Sequence, residues 1–116
     1  MNLQLIREIR QMPVIDTHEH MMHEKVYAGG KYDFFSLLQP YVCDILTSAG
    51  MTPEEWHYLS DTNREFTLRW ERFQPWLDEI RFTTYFQAVL RGLKDLYGVQ
   101  RVTDRNCHFS IFSVSR

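Results

Sequence analysis

The chain is poor in cysteine, and its two, Cys43 and Cys107, lie far apart and in no Cys-x-x-Cys spacing. A disulfide framework and a zinc knuckle are therefore excluded as organising features. Both are expected to be reduced thiols, with Cys43 a small core residue in an apolar helical context. Charge bias is missing as well, since 13 Lys and Arg against 15 Asp and Glu leave a formal net charge of -2. Such a balance gives no electrostatic footprint for nucleic acid or an anionic membrane, and neither is expected as a partner. No apolar run is long enough to span a bilayer, and Arg7, Glu8 and Arg10 interrupt the opening segment where a signal peptide needs an apolar core. A cytoplasmic location is the resulting expectation. Repeats, low-complexity tracts and charge blocks are also absent, so nothing in the composition marks a linker.

What is present is an amphipathic pattern that changes character along the chain. Leu5, Ile6, Ile9 and Met12 recur at helical spacing until Pro13, and Val14 to Thr17 reads as a short strand. The stretch from His18 to Lys31, closing on Gly29-Gly30, reads as a loop. Asp33 can cap a helix from Phe34, and Pro40 starts or kinks a second piece that ends at Gly50. Thr52-Pro53-Glu54-Glu55 combines a cap residue, a proline in the first turn and a glutamate placed to reach back, which predicts a helix start. Asp61 or Thr62 is expected to cap a longer helix with Phe66, Trp70, Phe73 and Leu77 on one face, interrupted near Pro75. Phe82, Phe86, Val89, Leu90, Leu93 and Tyr97 then make a sustained stripe that Gly98 terminates. Beyond Gly98 the pattern weakens, and Phe109 to Val114 favours extended structure without a clear face.

The chemistry-bearing feature is Val14-Ile15-Asp16-Thr17-His18-Glu19-His20. On an extended strand side chains alternate faces, so His18 and His20 share one side and can converge on a metal ion, with Asp16 on the same face and Glu19 opposite. Two imidazoles supply half of the three or four ligands that zinc takes from protein. Asp16 could orient a ligand or accept backbone amides. His23 lies in a polar loop, His57 beside Trp56 in the short capped helix, and His108 in the weak tail, so spacing assigns no ligand role to any of them. The plainer alternative for the pair is two polar residues satisfied by backbone at a strand end.

An apolar strand, then Asp-x-His-x-His, then a polar loop resembles the segment that ends the first barrel strand in metal-dependent hydrolases of the amidohydrolase superfamily. A looser likeness runs through the aromatic helical region to Leu-Lys-Asp-Leu-Tyr-Gly at 93–98. That region is similar to the helical insertion of amidohydrolase-2 type enzymes and, distantly, of uronate isomerases. The resemblance implies an α/β parent fold, a (β/α)8 TIM barrel, with His18 and His20 binding a divalent metal, zinc first among candidates. It further implies a small-molecule substrate and hydrolysis of C-N or ester bonds through a metal-activated water, with decarboxylation or uronate isomerisation as alternatives. A full barrel needs about 250 residues. The chain is accordingly expected to be a mostly helical, amino-terminal portion with one short strand, a truncated or frameshifted product inactive alone. Its expected organisation is one partial domain over 1–116, with first helix, strand and motif loop in 1–31, helical insertion in 32–98 and a poorly defined tail in 99–116. Catalytic residues other than the metal pair are not identifiable.

The aromatic helices have two readings. Trp56, Phe66, Trp70, Phe73 and Phe86 at helical spacing are most simply core. Alternatively they form a lid over a barrel mouth, with Arg69, Arg72 or Arg81 gripping a substrate carboxylate. An exposed aromatic face would promote self-association. A non-catalytic helical interaction module, its histidines incidental, is the competing functional class.

Overall fold

The computed structural model describes residues 2–18, 20 and 23–103. The described residues form helices and turns and no strand, and no helix among them is long and apolar enough to cross a membrane. Backbone contacts gather the chain into two compact units, Met1–Gly30 and Lys31–Arg116.

In the first unit α1 spans Leu3–Gln11, capped by Asn2, whose side-chain oxygen accepts the amides of Gln4 and Leu5 at 3.1 and 3.3 Å. Its apolar face is uncovered: Leu5, Ile9 and Met12 are each more than half exposed. Among the residues of this unit whose exposure is described, only Ile6 is even partly buried. The strand expected over 14–17 does not form. Extended backbone becomes a strand by sharing ladder hydrogen bonds with a neighbour, and the described residues provide none, so Val14 and Ile15 stay 84% and 87% exposed. The loop expected over 18–31 is also corrected, because α2 occupies Glu24–Ala28. Lys25 donates its amide to His23 Nδ1 at 3.2 Å, a local bond that opens the turn.

The second unit holds the core. Asp33 opens a 3-10 helix over Phe34–Leu38 with a reciprocal box: its Oδ1 accepts the Phe35 amide at 3.0 Å while its own amide donates to Ser36 Oγ at 3.1 Å. After Pro40, α3 runs Tyr41–Ser48, and Gly50, at φ 109°, turns the chain so that Met51 is buried. Thr52 Oγ1 accepts the Glu55 amide at 3.2 Å and caps α4 (Pro53–Ser60) as expected, whereas the Glu55 carboxylate, expected to reach back to the cap, accepts from Trp76 Nε1 at 3.4 Å; Trp56 and Leu59 point inward. The next helix begins later than expected. Asp61 accepts the Asn63 amide at 3.1 Å and pairs with Arg64 at 3.2 Å, so its carboxylate closes a turn. Helix α5 then spans Phe66–Phe73 and buries Phe66, Arg69, Trp70 and Phe73, the i, i+3, i+4, i+7 face.

Pro75 ends that helix in a 3-10 turn over Gln74–Trp76, followed by α6 (Leu77–Ile80) and α7 (Thr84–Tyr97). Gly98 adopts φ 70° and stops α7, as its position requires. Phe82 is the exception in the stripe. It precedes the helix and is 82% exposed, with the Arg81 guanidinium 4.7 Å from its ring centre.

Phe34, Phe35, Phe66, Trp70 and Phe73 meet largely edge to face at centroid spacings of 5.4 to 6.2 Å. Each well-placed pair adds about 0.5 to 1.5 kcal/mol beyond area burial. The aromatic helices are thus a core, as the simpler reading of their spacing held. One ionic pin runs through it. Arg69, 2% exposed, donates to Asp33 Oδ2 at 2.5 Å and to the Leu59 carbonyl at 3.0 Å, and lies over the rings of Phe35 and Phe66. Arg69 is therefore committed to structure and is withdrawn as a substrate-gripping residue. Arg72 stacks over Tyr58, with its guanidinium 4.0 Å from the ring centre.

Candidate metal centre

His18 and His20 lie in the exposed segment between α1 and α2, where no regular element holds them. What brings them together is local. Asp16 Oδ1 accepts the His18 amide at 3.0 Å, a local bond that ties the backbone just before the pair. That bond is the backbone-accepting role open to Asp16 in the sequence. The imidazoles then meet edge to face with centroids 4.6 Å apart and Nε2 to Nε2 at 2.8 Å. In that arrangement one Nε2 carries the hydrogen and the other accepts it.

A divalent ion requires both Nε2 lone pairs aimed at one point. Two nitrogens each about 2.0 to 2.1 Å from a tetrahedral zinc stand about 3.3 Å apart. The pair therefore needs to open by about 0.5 Å, a displacement open to exposed rings on irregular backbone. The Nε2 atoms fit a two-ligand site. Among the described residues no third His, Cys, Asp or Glu completes a group able to hold a metal ion.

The remaining histidines do not join them. His23 spends its Nδ1 on the Lys25 amide, and His57 is an exposed residue of the last turn of α4. Glu19, Cys107, His108 and the tract over 109–114 lie outside the described residues. Sequence spacing identified the pair from alternation of side chains along extended backbone, and the structure adds the bond from the His18 amide to Asp16. The Asp-x-His spacing was the available signal, since Asx side chains commonly bond the amide two residues on.

No protein-family model, no curated protein and no solved structure matches the chain.

Proposed function

We propose that this chain carries the amino-terminal metal-binding segment of a cytoplasmic, amidohydrolase-type enzyme of (β/α)8 ancestry, acting on a C-N or ester bond of a small molecule. The observation that carries the reading is the 2.8 Å approach of His18 Nε2 to His20 Nε2 at the end of an apolar run. The residues that would hold the metal are these two, and zinc suits two neutral imidazoles. A bound divalent ion supplies Lewis-acid polarisation of a water or a carbonyl oxygen. The chain's own part is to present two ring nitrogens on one side, with Asp16 holding the His18 amide beside them. With two protein ligands the affinity is expected to be micromolar or weaker.

Unit Met1–Gly30 leaves Leu3, Leu5, Ile9, Met12, Val14 and Ile15 exposed, as expected of a segment whose apolar face is covered by further structure or by self-association. That observation equally suits the second reading, a helical module that binds another protein. Cobalt titration separates the two. Wild-type chain should develop a saturable d-d absorption, and the His18→Ala, His20→Ala variant should not. Equal binding by both would remove the metal-site proposal and leave the interaction module.

A further inference from the structure

The second unit contains a cleft of about 590 Å³ that the histidine pair does not explain. It lies along α6, α7 and the strand-free segment that Gly98 turns back, where the Val99 amide donates to the Leu93 carbonyl at 3.2 Å. Its floor is apolar: Leu77, Leu90, Val99 and Val102 are half-buried against the core, and Phe86 is buried beneath them. Its rim is cationic. Arg81, Arg91, Lys94 and Arg101 line it against a single lining carboxylate, Asp78.

Two of those cations have local counter-charges, Arg81 with Asp78 at 3.2 Å and Arg91 with Asp95 at 2.6 Å. Both pairs are at least half exposed, so they are weak and readily exchanged for a better-placed anion. Lys94 pairs with no carboxylate among the described residues. With Asp78 set against Arg81 and Asp95 against Arg91, Lys94 still adds a positive charge to the rim of a chain whose formal net charge is -2. Concentration of one sign over an apolar floor favours a ligand with an anionic head and a hydrocarbon body. The volume lies within the roughly 300 to 1,000 Å³ common for small-molecule sites.

We infer that this cleft binds a small amphiphilic carboxylate, its head met by Arg91 and Lys94 and its body laid against Leu90, Val99 and Val102. The inference does not depend on the histidine pair and survives its failure. The test uses the full chain and three probes: octanoate, octanol of the same body without the charge, and acetate with the charge and no body. Octanoate should bind saturably by calorimetry, about tenfold or more tighter than octanol or acetate. The exposed rim variant Arg91→Gln, Lys94→Gln should lose about tenfold in octanoate affinity, keep its affinity for octanol and retain the wild-type circular dichroism. Raised salt should weaken octanoate alone. Octanol binding as tightly as octanoate, acetate binding as tightly as octanoate, or a rim variant with undiminished octanoate affinity would each overturn the assignment. A floor variant, Val102→Ser, should weaken octanoate and octanol alike; loss of octanoate binding in neither variant would place the ligand elsewhere.

Discussion

Removing the carboxylate of Asp33 should be far more damaging than its place at the start of a short 3-10 helix suggests. Asp33→Ala leaves the Arg69 guanidinium buried at 2% exposure, with the Leu59 carbonyl as its remaining hydrogen-bond acceptor and one buried nitrogen, Nε, already without a partner among the described residues. Stranding a buried charge in this way costs about 3 to 5 kcal/mol. Loss of the cap on the Phe35 amide adds about 1 kcal/mol. Domains of this size are stable by about 5 to 15 kcal/mol, so the single change consumes much of the margin. Arg69→Met should be milder. It retains the cap, lets the partly exposed Asp33 rehydrate, and orphans the Leu59 carbonyl for about 1 to 3 kcal/mol. The decisive comparison is the double variant, which carries no stranded charge and should be more stable than Asp33→Ala alone, with non-additivity of about 3 kcal/mol or more. Urea unfolding followed by tryptophan fluorescence gives each value, since Trp70 packs in the same cluster. Additive losses, or a cost for Asp33→Ala of about 1 kcal/mol or less, would refute the view that this pair pins the core.

Burial, reinforced by the charge of Asp44 and partly offset by the Thr47 hydrogen bond, pushes the Cys43 thiol above its ordinary value. In a Cys107→Ser background, iodoacetamide should alkylate Cys43 in the folded chain more slowly than in urea at mildly alkaline pH. The neutral thiol's contribution to stability should be complete below the unfolded thiol's range and should fade as pH rises through the raised folded value. Gly98→Ala should cost about 1 to 2 kcal/mol, through backbone strain at φ 70°, because no atom beyond its chain neighbours lies within 4 Å of the added methyl. Gly98→Asn should recover part of that loss in thermal melts, since asparagine tolerates the left-handed region.

Helices were legible wherever one local signal sufficed. Thr52-Pro53 set the start of α4, Pro75 the break after α5, and Gly98 the end of α7, each through a single residue's bond or dihedral. The core followed from helical spacing, as Phe66, Trp70 and Phe73 show. Where two local signals competed, spacing alone misled: Asp61 could cap a helix or close a turn with Asn63, and it closes the turn. The run over 14–17 had strand composition, but a strand is a relation between segments, which composition cannot supply. The Arg69 to Asp33 bond was hidden for the same reason, since its partners lie 36 residues apart and neither position is unusual in sequence. At the candidate site the spacing put His18 and His20 on one side, whereas the Asp16 bond to the His18 amide and the close approach of the two Nε2 atoms emerge only in three dimensions.

The central claim is that His18 and His20 offer their Nε2 atoms to one metal ion, and imidazole nitrogen NMR during zinc titration tests it most directly. The account predicts that the Nε2 resonances of both residues move together and saturate at one zinc per chain, while His23, His57 and His108 stay unshifted. Unmoved Nε2 resonances at saturating zinc, or shifts centred on the other histidines, would contradict it.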